Sequence, residues 1–266
     1  MSLRSIYRTT LFVGAALTAC LGLGVTSYAE DQSAPKPPAS LPGKEFVIQA
    51  AYTNRPITVD GHLSESVWGL ATPIQFCGID DGKAPNSNTV ARVLWDDKYL
   101  YVGYRAYDKD IWSYFTKRDS WCYWEDCLEL FFKTDPAKEP YYNYEINALG
   151  TIYDAFIQKK NAGGEDNHRW NMWNTEGIQI GTFVKGTIND QRDVDEYWQR
   201  EMAIPFSSMP TLKGQIPRPG DKWKILLGRY DYSVYLTSGV ETSSSTPRPV
   251  DNFHDDSSWV TLEFVK

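Results

Sequence analysis

The stretch Asp119-Ser-Trp-Cys-Tyr-Trp-Glu-Asp-Cys-Leu-Glu-Leu-Phe-Phe132 joins an aromatic-rich tip to a β-strand. From Asp126 onward apolar and polar side chains alternate, which is the period of a strand with one face in the core. The apolar face consists of Leu128, Leu130 and Phe132. Glu129 therefore lies on the opposite face, close in sequence to Trp124. A flat ring beside a carboxylate suits a ligand that has both C–H faces and hydroxyl groups, as a pyranose does.

A second strand carries polar side chains on its outward face. In Tyr142–Ala148 the apolar set points inward, and the outward set is Asn143, Glu145 and Asn147. Because consecutive strands usually neighbour each other, pairing would join Glu129, Glu145 and Asn147 in one polar patch. Two carboxylates and an amide can bind several vicinal hydroxyls. The competing interpretation is an ordinary solvated face, with Trp124 only covering the end of a sandwich.

Short strands separated by Gly, Pro, Asn and Asp recur from Phe46 onward, which is typical of a β-sandwich. Further strands are predicted at Phe46–Ala51, Ile57–Val59, Val90–Trp95, Tyr99–Tyr107, Thr151–Gln158, Ile178–Lys185, Glu196–Ile204, Lys222–Asp231 and Trp259–Val265. Only Glu65–Leu70 and Phe206–Met209 are predicted as single helical turns. The expected fold class is all-β, a single antiparallel β-sandwich of the lectin-like or jelly-roll-like kind. Its predicted core includes Leu128, Leu130, Phe132, Ile146, Val93 and Leu100.

Residues 1–29 have the pattern of a signal peptide. Two arginines precede an apolar run from Leu11 to Val25, and Ser27-Tyr28-Ala29 resembles a small-x-small cleavage site. We expect export with cleavage after Ala29, to the periplasm or the extracellular space. The alternative is that Leu17-Thr-Ala-Cys20 is a bacterial lipoprotein box, and a lipid on Cys20 would then anchor the protein at the outer surface. A membrane is an expected partner only in that case.

Residues 30–45 contain four prolines with Ser and Ala, which indicates a semi-extended spacer before a domain at 46–266. Without residues 1–29 the chain keeps 25 of its 27 basic residues against 34 acidic ones, a formal charge of −9. This charge disfavours nucleic acid and anionic membrane surfaces as partners. The expected partner is a saccharide or polysaccharide.

Three cysteines remain after cleavage, namely Cys77, Cys122 and Cys127. An odd number leaves one thiol free or paired between chains. A Cys122–Cys127 bridge would constrain the tip that carries Trp124, and a bridge from Cys77 to either is equally allowed.

A second aromatic cluster, Arg169-Trp-Asn-Met-Trp173, lies in a loop rich in Gly and Asn. Two exposed tryptophans in one loop are costly to leave in water, so one is expected to cover the core and the other to stack on a ligand. The chain after Ala29 has no His-Glu-x-x-His, Gly-x-Ser-x-Gly, Walker or dinucleotide pattern. No cofactor is expected.

Several segments occur in a fixed order along the chain, and the ordered set is more specific than any one member. They are Ile57–Trp68, Val93–Val102, Trp124–Phe132, Tyr142–Asn147 with Gly150 and Asp154, Trp198–Pro205, Arg229–Asp231, and Phe253-His254 with Trp259. This set resembles the carbohydrate-binding module family 9-like domains over nearly the whole of the exported chain.

The resemblance implies a β-sandwich with a lectin-like role, in which two tryptophans hold a terminal saccharide and strand residues bind its hydroxyls. By position, Trp124 resembles the first aromatic, Glu129 the strand carboxylate and Asn147 the strand amide. Glu145 stands where the xylanase-attached modules carry a basic residue. Trp173 is chosen as the second aromatic. Structural calcium also occurs in that family, although this chain has no Asp cluster with EF-hand spacing.

Three functions compete on these observations. The preferred one is an exported, non-catalytic carbohydrate-binding protein, with no catalytic residue assigned. The second is a glycoside hydrolase that uses Glu129 and Glu145 as paired carboxylates. The third is a haem-binding redox sandwich with Met172, Met202 or His254 as an axial ligand.

Overall fold

The computed structural model describes residues 46–159, 173–248 and 252–266. The predicted signal peptide, the lipid site at Cys20, the spacer and Met172 lie outside the described residues. The strands are β1 (Val47–Tyr52), β2 (Ile74–Gln75), β3 (Cys77–Gly78), β4 (Thr89–Trp95), β5 (Tyr99–Tyr107), β6 (Cys127–Lys133), β7 (Tyr141–Asn147), β8 (Ile152–Ile157), β9 (Gln179–Lys185), β10 (Tyr197–Pro205), β11 (Lys222–Tyr232), β12 (Val240–Ser244) and β13 (Val260–Val265).

The helical parts are single 3₁₀ turns. They lie at Ser66–Leu70, Cys122–Trp124, Phe206–Ser208, Pro210–Leu212 and Asp256–Ser258. Two of these match the single turns that the sequence predicts. Within the described part of the chain, no helix has the length and apolar character needed to cross a bilayer.

The strands form one mixed sheet in the order β8-β7-β6-β11-β13-β1-β4-β5-β10-β9, with β2, β3 and β12 paired beside it. Strand β1 runs parallel to both β13 and β4. The all-β prediction is confirmed, but the prediction of a purely antiparallel sheet is wrong at these two ladders. The sequence gives no turn signal that fixes the direction of β1, because its neighbours in the sheet are distant in the chain.

The sheet curls so that both of its halves bury side chains in one core. Leu130 and Tyr144 from β6 and β7 belong to the same apolar cluster as Val93 and Ile204 from β4 and β10. At its centre Phe132 stacks on Tyr142, Tyr144 and Trp223, with ring centroids 4.9, 5.9 and 5.5 Å away. All six core residues predicted from the sequence belong to this cluster. The curl brings the loop that follows β11 beside the loop between β5 and β6.

One predicted strand, Ile57–Val59, is an irregular loop instead. A buried carboxylate holds this loop in place: Glu201 of β10 accepts hydrogen bonds from the backbone amides of Asp60 and Gly61 at 2.9 and 2.8 Å and from Trp68 Nε1 at 3.0 Å. Within the segment itself, the Thr58 amide donates to Glu65 Oε1 at 3.0 Å, so this short alternating pattern is held by side-chain carboxylates and not by a strand ladder.

Candidate functional site

Strand pairing brings the two predicted carboxylates together. Glu129 of β6 lies directly opposite Glu145 of β7, and Cys127 lies opposite Asn147. On the other side of β6, Gly228 of β11 pairs with Glu129. The carboxylate pair therefore lies in the middle of a three-strand ladder, on the face that points away from the central core.

This face is covered, whereas the sequence predicts that it points outward. Glu129 is only 3% exposed and Glu145 only 6%. The cover comes from the segment between β12 and β13, where Phe253 rests on Gly228, and a Cβ there would lie 3.0 Å from the Phe253 ring. The Arg248 guanidinium carbon lies 4.0 Å from the same ring centroid. The missing side chain at Gly228 lets an aromatic ring pack closely on the sheet beside Glu129.

Burial disfavours the charged form of both acids. It raises the pKa of the Glu145 carboxyl to about 8, and a hydrogen bond from the Tyr123 backbone amide opposes part of that rise. Burial, followed by repulsion from Glu145, raises the pKa of Glu129 well above its ordinary value, while the positive charge of Arg248 opposes it. Burial therefore favours the protonated form of both acids, and a neutral carboxyl can both donate and accept a hydrogen bond.

Two polar groups in this region lack hydrogen-bond partners within the described part of the protein. They are one carboxyl oxygen of Glu145, Oε2, and the whole side-chain amide of Asn143, which is 1% exposed. Buried amides and carboxyls without partners are rare, because each costs about 1–3 kcal/mol. Asn143 lies two residues before Glu145 on the same face of β7, so its amide adds unused donors and an acceptor beside the carboxylate pair.

The same region contains a thiol. Ligand atoms of Cys127, Glu129 and Glu145 all lie within 4.8 Å of one another. A thiolate and two carboxylates are a donor set that a divalent transition metal accepts. However, burial raises the pKa of the Cys127 thiol well above its ordinary value, so the group is neutral as it stands.

A second acidic cluster consists of Asp108, Asp126 and Asp231, and it lies around the positively charged side chain of Arg229. Arg229 donates to the carboxylates of Asp108 and Asp231 at 2.8 Å each, and its side chain is fully buried. Asp126 accepts hydrogen bonds from the backbone amides of Trp112 and Tyr232 at 2.5 and 2.8 Å. The arrangement fits an internal ion-pair network that ties the β5–β6 and β11–β12 loops to β6, and it gives no additional support for a calcium site.

The aromatic tip projects from this network. Trp124 is 59% exposed and Trp121 is 47% exposed. Between them, the Tyr123 ring contacts Trp124 with centroids 5.4 Å apart, and the Tyr123 carbonyl accepts from the Tyr232 hydroxyl at 2.9 Å. The Tyr123 amide also approaches Glu145. Tyr123 therefore connects the exposed tryptophans to the buried carboxylates.

The predicted strand amide, Asn147, has a structural task. Its Nδ2 atom donates to the carbonyl of Phe115 at 2.7 Å and to Glu125 Oε1 at 2.5 Å. Its Oδ1 atom accepts from the amide of Thr151 at 2.8 Å, and its backbone carbonyl accepts from Arg200. Both amide hydrogens are thus used inside the protein, so Asn147 positions Glu125 and the tip loop.

The structure does not bring Trp173 to the carboxylates. Its ring packs against Tyr142 and Phe156, with centroids 5.5 and 6.0 Å away, and it joins the edge of the central core. Tyr142 lies on the face of β7 opposite to Glu145. Trp173 and the carboxylate pair are therefore on opposite faces of the sheet. The other tryptophan of that loop, Trp170, is outside the described residues.

The cysteines form none of the bridges that the sequence permits. All three are buried thiols, and the Sγ atoms of Cys77, Cys122 and Cys127 lie 3.5 to 3.6 Å from the carbonyls of Ser244, Thr151 and Leu128. Burial raises the pKa of the Cys77 thiol to about 11.

Comparison with known proteins decides the family. The family model described as carbohydrate family 9 binding domain-like matches residues 59–259, most of the chain. The chain belongs to this family. The match includes both strands of the carboxylate pair, the aromatic tip and the covering segment. No curated protein sequence matches the chain.

Solved structures of carbohydrate-binding module family 9 have the same fold. A module from Caldicellulosiruptor kristjanssonii in complex with cellotriose is 16% identical, has a TM-score of 0.53, and aligns over 83% of this chain and 94% of its own. A module from the same organism in complex with glucose is 16% identical, has a TM-score of 0.52, and aligns over 82% of this chain and 95% of its own. A Bacteroides uniformis ATCC 8492 protein with an ascribed carbohydrate-binding role is 14% identical, has a TM-score of 0.60, and aligns over 83% of this chain and 100% of its own. At these identities the likeness shows the fold alone.

Within this family 9-like domain, sequence reasoning missed the residues of the cover and the linking tyrosine. Arg248 and Phe253 lie in a loop that has no strand period, so no pattern assigns them to a face of the sheet. One signal was present: Gly228 interrupts an otherwise bulky strand, and a glycine within a strand often marks close approach by another group. Tyr123 lies between Trp121 and Trp124 in a turn without a strand period, so no pattern distinguishes it from its neighbours.

Proposed function

We propose that this domain is an exported, non-catalytic carbohydrate-binding protein whose site lies at the aromatic tip. In this proposal a sugar ring stacks on Trp124, and hydroxyls at its edge reach Glu129 and Glu145 past Tyr123. The observation that carries the proposal is the buried carboxyl pair, with Glu145 Oε2 and the neighbouring Asn143 amide unpartnered, set behind exposed aromatic rings in a family 9-like fold.

The chemistry of the pair suits sugar hydroxyls. A hydroxyl is both donor and acceptor, and a neutral carboxyl beside the Asn143 amide offers both functions in turn. Buried hydrogen bonds of this kind discriminate strongly between ligands, because a ligand without the matching hydroxyl leaves the protein groups unpaired. Since both carboxyls are almost fully buried, a hydroxyl reaches them only when Arg248 or Tyr123 moves outward.

A binding role fits the geometry better than hydrolysis. Glycosidases place one protonated and one ionised carboxyl on either side of the scissile bond. Here Glu129 and Glu145 are neighbours across one ladder, on the same side of any bound ligand, and burial raises the pKa of both. Burial thus disfavours the ionised form that a nucleophilic carboxylate needs.

The predicted site changes in composition under this proposal. Trp124, Glu129 and Glu145 remain as ligand-binding residues. Asn147 acts through its hold on Glu125 and the tip loop, and Trp173 supports the core on the far face.

Titration calorimetry with a panel of mono- and oligosaccharides, including glucose and cellotriose, tests the proposal. We expect measurable binding, and we expect Trp124→Ala to weaken it by about 2 kcal/mol, roughly 30-fold, because an exposed stacking ring is a typical binding anchor. Ile216→Ala removes an exposed apolar side chain outside the tip and is the matched control. If no saccharide of the panel binds, or if Trp124→Ala binds like the wild type, the proposal is refuted.

A further inference from the structure

A thiol and two carboxyls meet on the covered face of β6 and β7. Cys127 and Glu129 are two residues apart on β6, so their side chains project from the same face of the strand. Glu145 lies directly opposite Glu129 in the ladder. One ligand atom from each of the three side chains lies within 4.8 Å of the other two. Two paired strands therefore hold the three groups around one point, and no loop residue is needed to complete the cluster.

Polar atoms with no hydrogen-bond partner lie in and beside this cluster. Within the described part of the chain they are Glu145 Oε2 and both side-chain amide atoms of Asn143. Both side chains are almost fully buried, and Asn143 projects from the same face of β7 as Glu145, two residues before it. Buried polar atoms are normally satisfied by the protein, by water or by an ion. These atoms therefore point to a ligand at the cluster, independently of the acidic groups themselves.

The charges around the cluster favour a cation. When ionised, the thiol and the two carboxyls carry three negative charges in a buried place. Arg248 opposes them with one positive charge, which acts on Glu129. A second buried guanidinium, Arg200, interacts with Cys127 but donates its hydrogen bonds to two backbone carbonyls. Even with both guanidiniums the ionised cluster keeps a net negative charge, and buried charges are stable only when they are paired or coordinate a metal.

The donor set selects the kind of ion. Calcium and magnesium take six or more oxygen ligands, whereas zinc takes four ligands from thiolate, imidazole and carboxylate groups. Zinc bonds of about 2.3 Å to sulfur and 2.0–2.2 Å to oxygen place tetrahedral ligand atoms roughly 3.3–3.7 Å apart. The cluster atoms lie within 4.8 Å of one another, so side-chain rotations that move them by about 1 Å would close the site. Water, or an oxygen among the unpartnered atoms of Asn143 and Glu145, would complete the four ligands.

We infer that Cys127, Glu129 and Glu145 form a zinc site in this domain. A bound zinc ion displaces the protons of its ligands, so the thiol coordinates as a thiolate. The inference goes beyond the proposed function and does not depend on it. The ion and a sugar hydroxyl need the same two carboxyls, so each weakens the binding of the other, and the proposed saccharide site belongs to the metal-free protein.

Metal analysis of the full chain tests the inference. The protein is produced in medium supplemented with zinc chloride, so that the ion is present before the cover closes over the cluster, and loosely bound metal is removed by gel filtration. Elemental analysis should find one zinc ion per chain. Protein produced with cobalt(II) instead should show the near-ultraviolet charge-transfer band of a cobalt–thiolate bond. An ion held only by surface carboxylates or imidazoles gives no such band, because the band requires a sulfur ligand.

Two variants and a matched control locate the ion. Cys127→Ser should abolish the charge-transfer band and lower zinc affinity, measured by competition with a chromophoric chelator, at least about 100-fold, since loss of even an outer-sphere partner costs 10–100-fold. Glu145→Gln should lower it at least about 10-fold, and because glutamine keeps the shape of the buried side chain, this variant decides the matter if Cys127→Ser folds poorly. Cys77→Ser changes another buried thiol, outside the cluster, and should bind zinc like the wild type.

The outcomes separate this inference from the proposed function. A wild type without bound zinc, or a cobalt form without the thiolate band, overturns the zinc site. Unchanged zinc affinity in Glu145→Gln overturns it as well, because the ion then lies elsewhere. A loss in Cys77→Ser equal to that in Cys127→Ser also overturns it. None of these measurements uses a saccharide, so failure of every saccharide to bind refutes the proposed function alone and leaves the zinc result standing.

Discussion

Replacing Glu145 by glutamine should stabilise the fold at neutral and alkaline pH. The buried carboxyl has a pKa of about 8 against an ordinary value of 4.5. Because the folded state holds its proton more tightly than the unfolded state, stability is greatest below pH 4.5 and falls as pH rises through 8. Each pH unit within that window corresponds to about 1.4 kcal/mol, so the acid costs roughly 3 kcal/mol at pH 7. Glutamine keeps the shape and hydrogen-bonding capacity without the titration.

Urea unfolding, followed by tryptophan fluorescence at pH 5, 7 and 8.5, measures this effect. We expect Glu145→Gln to match the wild type within about 1 kcal/mol at pH 5 and to exceed it by up to about 3 kcal/mol at pH 7. A gain of that size corresponds to about 6–12 °C in Tm for a domain of this length. The exposed Glu176→Gln is the matched control. A variant less stable than the wild type at pH 7 and 8.5, or a wild type that gains stability between pH 5 and 8.5, would refute the reasoning.

Four further outcomes are expected. Trp173→Ala should lower stability by about 2 kcal/mol through lost packing and leave saccharide affinity unchanged in calorimetry; a loss of affinity would return Trp173 to the site. Asn147→Ala should destabilise by about 2–4 kcal/mol, because three side-chain hydrogen bonds are lost, and an unaltered Tm would contradict its structural task. Thiol titration should find three reactive groups in the unfolded, unreduced monomer and almost none in the native protein; a single group would restore the disulfide interpretation. N-terminal sequencing of the exported protein should begin directly after Ala29, whereas a blocked and lipid-modified Cys20 would prove the anchor.

Most of the fold follows from the period of the sequence. Alternation of apolar and polar residues predicts strands such as β6 and β10 to within one or two residues, because a half-buried strand imposes that pattern on every second side chain. The two-residue strands β2 and β3 are too short to show a period. The parallel placement of β1 depends on contacts with the distant β4 and β13, for which local sequence has no signal.

The site was harder to predict than the fold. An alternating strand pattern indicates on which face of the sheet a side chain lies, but it does not indicate which distant segment packs over that face. The pattern placed Glu129 and Glu145 on one face and paired them correctly. It gave no indication that Phe253 and Arg248 would close that face, since the loop that carries them folds back from the other end of the chain. Trp173 was selected for its exposure in a polar loop, but its ring packs on the core instead.

The retained acids make sense as a compromise between stability and function. A buried carboxyl pair and the unpartnered Asn143 amide reduce the stability of the fold, and apolar residues on the same strands would not. Groups that are costly in the free protein are common in binding sites, where a ligand supplies the missing hydrogen bonds. The pair at Glu129 and Glu145 has this character.

The central claim is the position of the ligand, and a crystal structure of the protein with its best oligosaccharide tests it most directly. We expect a sugar ring stacked on Trp124 and hydroxyls within 3.2 Å of Glu129 or Glu145. Arg248 or Tyr123 should be displaced outward from its position in the free protein. A saccharide bound elsewhere, for instance against Trp173 on the opposite face of the sheet with the carboxyl pair still covered, would contradict the account.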